Sequence, residues 1–124
     1  MNKQKRDLQL LPEIEARLRE LSELPRGWDG DDALPVSAKA DTEIRAVLAQ
    51  VYALARGRVP GPFIAPDPDG GLGIDWEVAS GAELLLAVSP AGAITYLLSG
   101  PGVEKQGAIT GAKDLERLLR AAGL

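Results

Sequence analysis

The stretch ELLLAVSPAGAITYLL, Glu83 to Leu98, holds two apolar runs divided by Ser89-Pro90-Ala91-Gly92-Ala93. Proline suits the start of a type I turn, and Gly92 suits the left-handed position that closes a three-residue hairpin loop. That loop fixes a register. It pairs Val88 with Ile94, Leu86 with Tyr96 and Leu84 with Leu98, so these six side chains share one face. The alternate set, Glu83, Leu85, Ala87, Thr95 and Leu97, takes the other face.

Upstream, Leu72 to Val78 reads LGIDWEV, again with period two. If the loop around Ser80-Gly81 holds an odd number of residues, Leu72, Ile74 and Trp76 join Leu84, Leu86 and Val88. An even loop would turn Glu83 and Leu85 onto the Trp76 face, which is the poorer burial pattern. One face is then continuous core: Leu72, Ile74, Trp76, Leu84, Leu86, Val88, Ile94, Tyr96 and Leu98. The other mixes carboxylates with apolar groups: Asp75, Glu77, Glu83, Leu85, Ala87, Thr95 and Leu97.

The flanks complete a fold. Pro66-Asp67-Pro68-Asp69-Gly70-Gly71 is dense turn chemistry, and Phe63-Ile64-Ala65 before it reads as a short strand. Val103 to Ile109 reads as one more strand. Ahead of these, Leu11, Ile14, Leu18, Leu21 and Leu24 recur at helical spacing, with Pro12 in the first turn. A second helix is expected from Ser37, a good N-cap, to about Arg56, with Gly57 as its stop and Arg56-Gly57-Arg58 as a basic C-terminal cap. Its stripe is Ala40, Ile44, Val47, Leu48, Val51 and Leu54. Thr110 is expected to cap a last helix, Ala112 to Ala122, with Leu115, Leu118 and Leu119 inward. The class is α+β: two N-terminal helices, an antiparallel β-meander of three to five strands and a C-terminal helix. One domain is expected over residues 1–124, with residues 1–10 frayed.

Composition narrows the chemistry. The chain of 124 residues has no Cys and no His. Disulfides, thiolate chemistry, cysteine-ligated metals and histidine general bases are absent by composition. The formal net charge is −4, a poor match to direct nucleic-acid binding, which favours a basic surplus. The charge is also uneven. Residues 1–58 carry ten basic and ten acidic side chains, whereas residues 59–110 set only Lys105 against Asp67, Asp69, Asp75, Glu77, Glu83 and Glu104. Acidity is therefore concentrated in the sheet, where it would steer a basic partner. No apolar run approaches the roughly 18 residues of a membrane span. The N-terminus lacks the h-region of a secretory signal. A cytoplasmic chain is expected.

The elbow between the first two helices reads RGWDGDDALP, Arg26 to Pro35. As an EF-hand loop begun at Asp29, it would place Ala33 and Ala40 where ligands belong. Centring the same template on Gly70 gives Ala65 and Trp76 at the first and twelfth positions, so both matches fail. The structural alternative is an elbow in which Trp28 buries its ring between the helices, Asp29 or Asp31 takes backbone N–H groups and Gly30 adopts positive φ. No metal or cofactor is expected. Ser37-Ala38-Lys39 has the wrong spacing for a Ser-x-x-Lys dyad, and Gly100-Pro101-Gly102 lacks the rest of a dinucleotide loop.

Gly27, Trp28, Asp29, Gly30, Ala33 and Pro35, then Asp69, Gly70, Gly71 and Trp76, resemble a pattern in small bacterial proteins of unknown function. Those proteins share a Gly-Trp-Asp-Gly elbow and a Pro-Asp-Gly-Gly hairpin. The resemblance spans about Pro25 to Leu98 and implies no activity. Asp31 and Asp32 depart from it, standing where an aromatic or small residue is expected.

The expectation for function is a small acidic, non-catalytic protein-binding module. It would occupy a basic surface of a partner protein, as antitoxins, immunity proteins and phage-encoded anti-defence inhibitors do; that step is analogy of class. The expected contact residues are Asp75, Glu77, Glu83, Leu85, Thr95 and Leu97. Two alternatives stand beside it. One is a small enzyme or ligand-binding domain using Asp75, Glu77 and Glu83. The other is a homodimeric module joined through Leu85 and Leu97. A further choice is structural: the C-terminal helix could cover the mixed face and make it core.

Overall fold

The computed structural model describes residues 11–55, 59–78 and 81–124. The expected fraying of residues 1–10, the cap at Arg56, Gly57 and Arg58, and Ser80 of the expected odd-numbered loop lie outside the described residues. Among the described residues the elements are α1 (Pro12–Ser22), α2 (Ala38–Ala55), β1 (Phe63–Pro66), β2 (Leu72–Glu77), β3 (Glu83–Val88), β4 (Ile94–Gly100), β5 (Val103–Ile109) and α3 (Ala112–Ala121). The protein is α+β, with a five-stranded antiparallel sheet in the order β1-β2-β3-β4-β5. No helix among the described residues is long and apolar enough to cross a membrane.

The two central hairpins have the register their turns demand. Val88 stands opposite Ile94, Leu86 opposite Tyr96 and Leu84 opposite Leu98. The turn closes through Ser89 N–H to the Ala93 carbonyl at 2.8 Å, with Gly92 at φ 91°. Trp76 faces Leu84 and Glu77 faces Glu83, and Val78 N–H donates to the Ala82 carbonyl at 2.9 Å. Three residues therefore separate Val78 from Ala82, the odd loop that keeps Trp76 on the Leu84 face.

The three helices of the described residues all cover that face. Ile14, Leu18 and Leu21 of α1, Ala40, Ile44, Val47, Leu48, Val51 and Ala55 of α2, and Leu115, Leu118 and Leu119 of α3 share one buried cluster with Ile64, Leu72, Ile74, Trp76, Leu84, Leu86, Val88 and Leu98. Ile94 and Tyr96 are half-buried against it. The C-terminal helix thus lies on the core side and leaves the mixed face uncovered. Arg45 of α2 ties the helices together by pairing with Glu15 of α1 and with Asp41, the latter at 3.0 Å.

Several helix details differ from expectation. Leu11 precedes α1 and is exposed, and Leu24 follows its end while still packing on the core. Leu54 is exposed because Ala55 takes the inward position, leaving Leu54 on the flank of the stripe. Ser37 caps α2 as expected, accepting from Ala40 N–H at 3.0 Å while its hydroxyl donates to the Pro90 carbonyl at 2.7 Å. Thr110 does not cap α3. Gly111 holds the cap position, and Thr110 instead donates its N–H (2.9 Å) and its hydroxyl (2.8 Å) to the Asp114 carboxylate. The side chain one turn inside the helix thus reaches back past the cap to the residue before it, and no side chain bonds the cap itself.

Candidate partner-binding face

With every helix of the described residues on one side, the other side of the sheet is bare among the described residues. Its side chains fall into three rows, because residues directly opposite in a ladder share a face. The central row is Phe63, Asp75, Leu85, Leu97 and Gln106. One end carries Glu77, Glu83, Ser99 and Glu104. The other carries Ala65, Gly73, Ala87, Thr95 and Ala108. The face therefore grades from acidic, through large apolar groups, to small side chains.

All six expected contact residues, Asp75, Glu77, Glu83, Leu85, Thr95 and Leu97, lie together on this face. Glu77, Glu83, Leu85 and Thr95 are exposed, while Asp75 and Leu97 are half-buried. Phe63 was not anticipated. It is 66% exposed and stands opposite Asp75, making it the most exposed large apolar side chain of the face. The signal for it lay in the turn. Asp67 N–H bonds to the Gly71 carbonyl at 3.0 Å, and counting outward from that pair brings Phe63 to Asp75.

The carboxylates crowd one another. Glu77 and Glu83 are cross-strand partners, a like-charge pair that disfavours the sheet. The Glu83 carboxyl is held above the ordinary carboxylate range, first by a hydrogen bond its protonated form makes to Asp75, then by repulsion from the Asp75 charge, partial desolvation and repulsion from Glu77. When both groups are ionised that bond cannot form. Asp75 Oδ1 is then shielded from solvent with no donor. Two shallow hollows mark the surface. Pro60, Gly61, Phe63, Asp75 and Glu77 line one; Leu85, Ala87, Thr95, Leu97 and Gln106 contribute to the other.

Comparison of the chain with protein-family models, with curated proteins and with solved structures gives no match. The chemistry of the face has to be taken from its own residues. Proton transfer by a carboxylate pair needs a cleft that excludes water around one of them. Among the described residues, Asp75, Glu77 and Glu83 stand instead on an open sheet surface.

The elbow sits elsewhere, at the end of the sheet where the β1–β2 and β3–β4 turns emerge. Asp29 Oδ1 accepts from Asp31 N–H at 2.9 Å and Ala33 N–H at 3.3 Å, and Gly30 has φ 85°. Asp69 Oδ1 likewise accepts from Gly71 N–H at 2.8 Å. Each aspartate organises its own backbone, as an Asx turn does. Among the described residues, no group of three or more carboxylates converges in a way that could hold a metal ion. Trp28 departs from expectation. Its ring is half-buried and lies outside the core cluster. It folds over its own loop, with the indole N–H donating to the Leu34 carbonyl at 3.0 Å.

Proposed function

We propose that this protein is a non-catalytic binding module whose bare sheet face docks on a basic, partly apolar surface of a partner protein. The observation that carries the reading is the gradation across one uncovered face, with Asp75, Glu77, Glu83 and Glu104 bordering Phe63, Leu85 and Leu97. Interfaces hold through an apolar centre and orient through a charged rim. Carboxylates that repel one another in the free protein are relieved when a cationic surface approaches, so part of their mutual repulsion is returned on binding. Occlusion of a basic surface on another protein, the mode of antitoxins, immunity proteins and anti-defence inhibitors, follows by analogy of class.

The test uses a defined probe, an amphipathic peptide with alternating arginine and leucine, titrated into the protein while amide chemical shifts are followed. Shifts should centre on Asp75, Glu77, Glu83, Leu85 and Leu97 and weaken with salt. Reversing Asp75 and Glu77 to lysine should mainly slow association, whereas Leu97→Asp should speed dissociation. Shifts centred on the helical side would overturn the reading.

A further inference from the structure

The two edges of the sheet are treated differently. In β1 the main chains of Phe63 and Ala65 bond to β2, as the Asp67–Gly71 closure and the alternation of the ladder require. The outward positions are Ile64 and Pro66, with Pro62 one step before the strand. Both prolines lack an N–H, and the Ile64 carbonyl accepts from Arg17 Nε of α1 at 3.1 Å. That edge is closed to a further strand by the devices that block edge pairing.

At the other edge, β5 has seven residues and no proline. The Ser89–Ala93 closure assigns Glu83, Leu85 and Ala87 to bonds with β4, so Ile94, Tyr96, Leu98 and Gly100 turn their main chains to β5. Glu104, Gln106 and Ala108 are left with N–H and C=O groups pointing outward. Every residue from Glu104 to Ala108 is exposed, Gly107 among them, whose exposure is all backbone.

We infer that β5 pairs with β5 of a second copy, joining two five-stranded sheets into one. A strand that meets itself about a two-fold axis runs antiparallel. Centring the axis on Gln106 aligns the outward groups of Glu104, Gln106 and Ala108 with those of the second copy. Glu104 then faces Ala108, Lys105 faces Gly107, Gln106 faces itself and Val103 faces Ile109. Each charge meets a small neutral residue, and the strand ends meet as apolar pairs, the favourable cross-strand arrangement. Moving the axis to Lys105 would set two lysines against each other, and moving it to Gly107 would leave Glu104 and Val103 without strand partners. This self-complementarity favours a second copy over an unrelated strand. It is independent of the proposed function: it rests on the outward main-chain groups of the edge strand, whereas the docking reading rests on side chains of the face, and it merges two faces into one continuous surface.

The experiment is light scattering across a concentration series, with variants that leave the chain's own ladder intact. The wild type should move from the monomer mass toward twice that value as concentration rises. Gln106→Pro removes an N–H that the fold does not use and should remain monomeric. Gln106→Lys should weaken pairing on the order of tenfold, and mixing it with Gln106→Glu should restore a dimer, because the two meet across the axis. Far-ultraviolet circular dichroism should be unchanged in Gln106→Lys and Gln106→Glu. A wild type that stays monomeric throughout overturns the inference. So does a dimer indifferent to the charge placed at residue 106 but dissociated by Leu97→Asp, which would locate pairing on the open face.

Discussion

The N–H of Leu34 donates to the carbonyl of Pro68 at 2.8 Å, joining the elbow between α1 and α2 to the turn between β1 and β2. Three residues on, Ser37 N–H donates to the Gly70 carbonyl at 2.9 Å. The segment 34–37 is thus bonded to the turn at both of its ends, and the Ser37 hydroxyl reaches on to Pro90 in the next turn. The two Gly- and Asp-rich motifs are halves of one structure, although more than thirty residues separate them.

A paired substitution follows from that junction. Gly70 has φ 97°, and a Cβ there would meet the Pro35 carbonyl at 3.2 Å; Gly30 has φ 85° with nothing within 4 Å. Both alanine variants suffer left-handed backbone strain of about 1–2 kcal/mol. Gly70→Ala adds the displacement of the 34–37 segment. It should therefore cost clearly more than Gly30→Ala in urea denaturation. Equal losses would mean that the elbow and turn are not mechanically joined.

The two tryptophans should separate in the same way. Trp76 is 1% exposed, and Trp76→Ala should cost about 3–5 kcal/mol, the range for emptying a large aromatic site. Trp28 contributes one hydrogen bond and partial cover to its loop, so Trp28→Ala should cost about 1–2 kcal/mol. Iodide should quench the fluorescence of Trp28 in a Trp76→Phe variant and leave Trp76 largely unquenched in a Trp28→Phe variant. A loss at Trp28 as large as that at Trp76 would place its ring in the core after all.

Stability should respond to pH in opposite senses at two carboxylates. Glu83 has a folded-state pKa above its unfolded value. The folded state then binds more protons in that window, and stability declines as pH rises through it. Asp114 is held below its ordinary value, first by hydrogen bonds from the Thr110 backbone and hydroxyl, then by Arg117. Its contribution is present above the unfolded pKa and is lost as pH falls toward the folded one. Glu83→Gln should accordingly raise the neutral-pH melting temperature and remove the decline that the Glu83 titration causes. Asp114→Asn should lower the melting temperature at neutral pH and flatten the acid limb. Melts between about pH 3 and about pH 7 separate the two.

Much of the sheet was legible because its turns are chemically explicit. Pro90 and Gly92 set the β3–β4 register, and the alternation of Leu72, Ile74 and Trp76 set the face. Residues whose place depends on distant chain were not legible. Phe63 belongs to a four-residue strand too short to show a period. Trp28 follows a helix end, where a large ring is normally core, but Leu34 turns its carbonyl to the indole and draws the ring over the loop. The bare face could be listed residue by residue from the alternation. That α3 would leave it bare depended on which side of the sheet α3 packs, and Leu115, Leu118 and Leu119 would serve either side equally well. What the proposed docking face would bind is set by a partner's surface, so the sequence carries only the charge and shape to be matched.

Neighbouring leucines give the sharpest check on the face assignment. Leu97 stands opposite Leu85 on the open side, and Leu98 stands opposite Leu84 with no exposure at all. An aspartate at 98 would bury an unpaired carboxyl among Trp76, Leu84 and the helices, at a cost exceeding about 4 kcal/mol. An aspartate at 97 keeps its charge in water and gives up only half-buried contacts and some strand preference, about 1 kcal/mol. Leu98→Asp should therefore fail to show a cooperative melt, while Leu97→Asp should melt within a few degrees of wild type. The second variant is then a folded protein with a charged centre on its open face, suited to the binding tests above. A collapsed transition in Leu97→Asp would make residue 97 part of the core and remove the basis for a docking face.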